Sequence, residues 1–446
     1  LLIVSVDTTR ADALSCYAKE SSWGLDLPEQ QRPVARTPGF DALAKDGVRF
    51  AWALSHAPAT LNSHTTIMSG LDPHGHRVVR NGFPVPDDVP LLAERLQAAG
   101  WDTIAVVGAS VLESEMGLAR GFRVYDDQVS TEIRRRFEDR ADRVVDRALH
   151  WVDDSKTPGG ALALFVHFFD PHSPWQSAPS AMQSEFISED YQGEIGPSSD
   201  GIGAAISAAR NKTLSTEDRT QARGYYLSEV AWVDSQFQRL MVELDERGML
   251  NDALVVVLSD HGETLEEIPD RPYGHTLDAD LTSVHVPLIV AGKGQYSVPK
   301  GLVVNRQVRL MDVAPTLLSM VGVKQKLGEG QDLSPLFGDS ELSAPPSYAE
   351  ATKPFQAETG KWPNLGLDRS VAVNGYFLTR ADVYDEPPAL FALSPGQPRV
   401  DNEAQLQEML ALLEGWDAGA PDLDVAPLAP NTEEALKALG YLEKDD

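Results

Sequence analysis

The chain predicts an α/β fold, a mostly parallel sheet with helices on both faces. Strand-length apolar runs recur along its 446 residues and alternate with helical patterns. The runs are apolar at nearly every position rather than at every second one, as strands covered on both faces require. Acidic or imidazole side chains stand just after three of these runs, where an open α/β sheet binds its ligands.

The elements follow in order. Leu1–Val6 is the first buried strand, with Asp7 at its carboxyl end. Thr37-Pro38 opens a short helix, Gly39–Lys45, closed by Asp46-Gly47. A further helix is predicted to start at Thr60. Asp88–Ala99 carries helical periodicity up to Gly100, and Thr103–Val107 is a second strand. Arg134–Asp153 is a charged amphipathic helix, and Ala161–Val166 a strand that runs into His167 and Asp170-Pro171-His172. Residues 176–213 are rich in Gly, Ser and Ala without clear periodicity and are expected to form a surface insertion. Thr216–Arg247 is a long helix. The strand Ala253–Leu258 then leads into Ser259-Asp260-His261-Gly262-Glu263, and Val286–Ala291 is one more strand. The character changes after Ser340–Ser347, a Ser/Pro-containing linker. Ser370–Val373 and Tyr376–Thr379 flank Asn374-Gly375, a hairpin signal. Glu403–Leu413 and Glu433–Leu442 read as closing helices. The domain expectation is therefore a catalytic unit over 1–340 and a C-terminal α+β subdomain over 348–446.

Composition narrows the function. A net charge of −29 repels nucleic acid and anionic lipid, so nucleic acid is not an expected partner. An anionic small molecule would need local cationic groups or a metal. The single cysteine, Cys16, allows no intrachain disulfide and is read as a packed thiol. No apolar run approaches the ~20 residues that span a bilayer, so membrane association is not visible. Residue 1 already lies in an apolar strand. A preceding export signal or anchor would suit that start, and with it an exported or periplasmic location.

Asp7, Asp260 and His261 make a plausible divalent-cation set of two carboxylates and one imidazole. Thr60, at a predicted helix start where backbone N–H groups favour anions, offers a fourth oxygen and a hydroxyl nucleophile that a metal would activate. His74, His76, His167 and His285 read as turn or core histidines, and Arg10 and Asp12 as partners of one another.

With these residues in view, the chain resembles the sulfatase family of the alkaline phosphatase superfamily over nearly its whole length. Val4–Leu14 resembles the family's metal-aspartate strand. Thr60–Gly70 resembles the nucleophile motif C/S-x-P-x-R with its following helix, with Thr60 at the Cys/Ser, Asn62 at the Pro and His64 at the Arg. Phe165–Trp175, Ser259–Glu263, Tyr273–Leu277, Val286–Ile289, Asp312–Leu318 and Leu439–Leu442 also match in order. The resemblance implies an alkaline-phosphatase-like three-layer sandwich and one divalent metal ion (Mn, Ca, Mg or Zn) held by Asp7, Asp260, His261 and Thr60. It implies leaving-group assistance by His172, substrate contact by His275, which stands where many members carry a lysine, and substrate binding by His64 and Asn81. A second metal would need a His at Pro174, four residues after Asp170, so one metal is expected.

The departures select the ester. Family sulfatases use formylglycine made from Cys or Ser, and oxidation of a threonine would give a ketone, so no formylglycine is expected at Thr60. Thr8 replaces a second metal-binding carboxylate or amide, and His64 replaces an arginine. The expected activity is a metal-dependent hydrolase of small-molecule phosphate mono- or diesters. The alternatives are a formylglycine-independent sulfatase, a phosphotransferase, and a non-catalytic sulfatase-like binding protein.

Overall fold

The computed structural model describes residues 1–20, 34–129, 138–155, 160–265, 273–276, 278–338, 342–352, 366–381 and 386–421. Among these residues nine strands form the central sheet: β1 Leu2–Val6, β2 Gly47–Leu54, β3 Asp102–Val107, β4 Val124–Asp126, β5 Leu162–Phe168, β6 Leu254–Leu258, β7 His285–Val286, β8 Leu288–Gly292 and β9 Leu302–Arg309. Their order is β4-β3-β5-β1-β6-β8-β2-β7, with β9 beside β2. The first five in that order run parallel; β8 is antiparallel to β6 and β2. Two apolar clusters cover the faces. One contains Val4, Val166 and Val257 and receives the helices Ala141–Asp153 and Thr216–Glu246. The other contains Ile3, Phe165 and Val256 and receives the helices Thr60–Ser69, Leu92–Ala98 and Val313–Met320. Successive residues of one strand thus enter opposite cores, which is why these strands read as unbroken apolar runs.

A second, antiparallel sheet comprises β10 Ser347–Thr352, β11 Gly366–Val373, β12 Tyr376–Ala381 and β13 Ala389–Ala392, in that order. Asn374 and Gly375, at φ 53° and 80°, make the β11–β12 turn, the conformation the Asn-Gly pair favours. The helix Glu403–Asp417 packs Met409 and Leu413 on this sheet. Trp416 of that helix stacks between His74 and Tyr348, at ring separations of 3.7 and 5.2 Å, and its Nε1 donates to Asp72. Glu433–Leu442, Leu439–Leu442, Leu277 and the start of the Arg134–Asp153 prediction lie outside the described residues.

Several expectations shift. The 88–99 helix begins only at Leu92, because Pro90 holds the preceding chain extended and Glu94 accepts the Leu91 N–H at 2.9 Å. Val286–Ala291 is interrupted at Pro287, which cannot donate to the ladder. Residues 176–213 are not merely a surface insertion. Ser198 caps the helix Ser199–Arg210, whose Ile202, Ala205 and Ala209 enter the core. That helical spacing is in the sequence, hidden by its small residues. Strands β2, β4 and β9 were not anticipated. Among the described residues no helix is long and apolar enough to cross a membrane.

His74 and His76 behave as the turn residues they were read to be. His76 is buried, accepts the Val78 N–H at Nδ1 and meets Thr66 Oγ1 through Nε2, each at 3.0 Å. Burial, then His74 and Arg77, hold its pKa down at about 3. Between pH 3 and 6.5 the unfolded chain therefore binds the extra proton. The stability this group contributes is complete above 6.5 and is lost as pH falls through that window. His76→Gln should lose less stability than wild type between pH 7 and 5, by about 2 kcal/mol. Parallel denaturant titrations at the two pH values measure this, and equal losses would contradict it.

Candidate active site

The carboxyl ends of β1, β5 and β6 and the start of the Thr60 helix converge. Tyr226 in the long helix donates to the Thr8 carbonyl and accepts the Arg10 N–H, at 2.8 and 3.1 Å, which pins the segment after Asp7. Ser259 Oγ accepts the Thr9 N–H and donates to the His261 carbonyl, which ties the ends of β1 and β6 together. Ser63 donates to the Asp260 carbonyl at 2.7 Å and so ties the Thr60–Ser69 helix to the end of β6. Gly262 lets the chain pass the Thr282 carbonyl, which a Cβ there would meet at 2.1 Å. Arg10 pairs with Asp12 at 2.9 Å, the structural role expected of them.

Asp7, Asp260 and His261 are buried, and ligand atoms from the three lie within 4.8 Å of one another. Asp7 Oδ1, Asp260 Oδ2 and His261 Nε2 make no hydrogen bond, so each of the three side chains leaves one buried polar atom without one. Burial raises the pKa of both carboxyls above the usual 3.8, and Asp7 raises that of Asp260 further. Burial opposes charging of His261, but Asp260 and Asp7 outweigh it and push its pKa up. Two buried carboxylates with converging unpaired atoms fit a bound divalent cation. These are groups suited to hold such an ion.

Thr60 is the first residue of its helix, and its Oγ1 donates to Asp7 Oδ2 at 3.4 Å. Asn81 Oδ1 accepts the Leu61 N–H at 2.8 Å, while its buried Nδ2 has no hydrogen-bond partner. His172 stacks on Phe169 and points Nδ1 at the Ser173 carbonyl at 2.6 Å, so Nε2 is an acceptor in the neutral ring. Its ring is 4.8 Å from that of His275, whose Nδ1 lies 3.3 Å from Glu263 Oε1. Burial, then His275, lowers the His172 pKa to about 3. Burial, then His261, takes that of His275 well below 6.5. His275 is thus neutral in the free protein rather than a ready substitute for a lysine.

His64 departs from its expected place against the substrate. It is buried one turn along the helix, with Nδ1 2.8 Å from the Thr60 carbonyl and Nε2 2.9 Å from Ser5 Oγ, so both nitrogens serve contacts inside the protein. The residue that sequence reasoning missed is His167, taken for a core histidine. Its Nε2 lies 3.2 Å from Asp7 Oδ2. The available signal was the one that marked Asp7, a polar side chain at the carboxyl end of a buried parallel strand. His285 is a core histidine as expected, stacked on Trp52 and bonded to the Ala51 carbonyl.

A hydroxyl at a helix start, bonded to a buried carboxylate–imidazole cluster beyond a parallel sheet, is an arrangement suited to ester hydrolysis. The sulfatase family model matches residues 1–323, and the chain belongs to that family, within the alkaline phosphatase superfamily. It is 25% identical over 410 residues to the ulvan-active sulfatase of Formosa agariphila, covering 86% of this chain and 76% of that one. It is 20% identical over 422 residues to the multifunctional alkaline phosphatase superfamily protein PehA of Trinickia caryophylli, covering 77% and 78%. Among solved structures, the phosphonate monoester hydrolase of Agrobacterium radiobacter superposes with a TM-score of 0.69 at 20% identity, covering 95% and 96%.

Proposed function

We propose that the chain hydrolyses phosphate mono- or diesters by in-line attack of unmodified Thr60. The observation that carries this reading is the Thr60 hydroxyl, bonded to Asp7 at a helix N-terminus over the unpaired atoms of Asp7, Asp260 and His261. The four imidazoles His64, His167, His172 and His275 have pKa values lowered by burial, so they bring no positive charge of their own to an anionic ester. A divalent cation held by Asp7, Asp260, His261 and Thr60 would supply that charge and favour the ionised hydroxyl.

The side chains then have distinct tasks. Thr60 Oγ1 bonds to phosphorus as the bond to the leaving oxygen breaks, and its proton passes to Asp7 Oδ2. Asn81 holds the helix start through Oδ1 and presents Nδ2 to a non-bridging oxygen. In the second half, the water oxygen bonds to phosphorus as the Thr60–phosphate bond breaks; His172 Nε2, its pKa raised by the bound anion, accepts the water's proton, and Asp7 returns its proton to Thr60 Oγ1. His275, backed by Glu263, takes a proton only when the bound anion raises its pKa, and then donates to the departing oxygen.

Asn81→Asp should preserve the cap on Leu61 and lose the donor, lowering kcat by about 10²-fold. Steady-state kinetics with circular dichroism as a fold control tests it, and wild-type kcat would remove Asn81 from the site. Rates on p-nitrophenyl phosphate, bis(p-nitrophenyl) phosphate and p-nitrophenyl sulfate, from one metal-loaded preparation, test the ester. One phosphate ester should have the highest kcat/KM. A higher value for the sulfate would select the second reading, a sulfatase without formylglycine, which the likeness to the ulvan-active sulfatase favours.

A further inference from the structure

Behind the nucleophile helix, on the β5 side of Asp260, stand two histidines that the proposed transfer does not use. His64 comes from the helix Thr60–Ser69 and His167 from β5, where it lies in register with Ser5 of β1. Both are buried, and their rings meet edge to face at 4.9 Å. Ligand atoms of His64, His167 and Asp260 all lie within 4.8 Å of one another. Neither nitrogen of His167 makes a hydrogen bond, and neither does Asp260 Oδ2, which lies 3.5 Å from His64 Nδ1.

A buried ring nitrogen without a hydrogen bond is costly, and this cluster holds two on one side chain, of which Nε2 has only the Asp7 carboxylate near it, at 3.2 Å. The tautomer of His64 bears on the cause. With the proton on Nδ1 the ring donates to the Thr60 carbonyl and accepts from Ser5. With the proton on Nε2 it donates to Ser5 Oγ, and Nδ1 is left with a lone pair 2.8 Å from the Thr60 carbonyl and 3.5 Å from Asp260 Oδ2, a contact that a cation beside Asp260 would replace. A histidine that binds a metal through one nitrogen commonly donates from the other to a neighbouring oxygen, and Ser5 Oγ at 2.9 Å is placed for that.

We propose that His64, His167 and Asp260 form a second divalent-cation site that shares Asp260 with the first. It rests on the reading that Asp7, Asp260 and His261 hold the first cation. Two imidazoles and one carboxylate are a zinc-type donor set, softer than calcium or magnesium prefers. The expectation of one metal came from Pro174, where a second site of another design would need a histidine. The present cluster draws on other residues, and its His64 occupies the position of the family arginine.

The test is a metal count. Protein stripped with a chelator, reloaded with Zn²⁺ and passed through a desalting column should retain two zinc ions per chain by elemental analysis. His64→Gln and His167→Gln should each retain one. Ser5→Ala leaves every ligand in place and should weaken the second zinc about 10-fold in a competitive chelator titration. One zinc in the wild type overturns the second site and leaves the first standing; none overturns both. Two zinc ions kept by both glutamine variants would assign the extra ion to the acidic surface and also overturn the proposal. The wild-type count stands even if a variant fails to fold.

Discussion

Thr60→Ala should lower turnover of a phosphate ester by about 10³-fold or more, with the fold and the Zn²⁺ content of the Asp7–Asp260–His261 cluster largely preserved. The size follows from what is lost. Alanine removes the one hydroxyl that Asp7 orients, at 3.4 Å, and with it the covalent intermediate. It also removes one of the four proposed metal ligands, but Asp7, Asp260 and His261 remain, and the helix cap is untouched because Thr60 is the first residue of its helix and the N-cap is Ala59. Thr60→Ser keeps the oxygen and should retain much of the activity. Intact-mass analysis of the active wild type should find Thr60 unmodified, and acid quenching during turnover should trap one phosphoryl group on its peptide. Full activity in Thr60→Ala would remove this residue from the mechanism. A label found on another residue would relocate the nucleophile.

The sequence made Thr60, Asp7, Asp260 and His261 legible because each sits at a point with a local signature: a helix start, or the residues just after an apolar run. The same reading failed where a polar side chain is buried inside such a run. Arg49 interrupts the pattern of β2, yet it is buried against Glu20 at 3.1 Å and lies over the Tyr17 ring at 4.5 Å. That compensation comes from residues far along the chain. Among the described strands β9 pairs only with β2, and Asn305 and Arg306 are exposed there, whereas Gln307 is buried and its Nε2 donates to the Pro345 and Ala372 carbonyls. His64 and His167 were hidden for a related reason. Whether an imidazole packs, binds substrate or turns toward a carboxylate depends on which neighbours reach it, and Ser5, Thr60 and Asp260 meet only in the folded sheet.

Asp260→Asn should change the stability of the metal-free and metal-loaded proteins in opposite directions. Without metal, the wild type buries the Asp260 carboxylate beside Asp7, with Oδ2 unpaired. Asparagine keeps the Oδ1 acceptor for the His261 N–H, which lies at 2.9 Å, and removes the buried charge. The metal-free variant should therefore be more stable than the metal-free wild type by about 1–3 kcal/mol. The sign with pH is fixed by the raised Asp260 pKa. Below the unfolded value of 3.8 the group is protonated in both states and its burial costs little; the cost is complete only once pH has risen past the folded pKa. The advantage of the variant should thus be largest near neutral pH and shrink toward pH 4. Zinc reverses the order. At ~1,000 times its dissociation constant a ligand stabilises the wild type by about 4 kcal/mol, and a variant that has lost the oxygen shared by both proposed sites gains much less. Denaturant titrations of the two proteins, with chelator and with Zn²⁺, should cross in rank. A variant less stable than wild type in chelator at pH 7 would mean that the carboxylate is compensated within the protein and that the cluster does not depend on a cation.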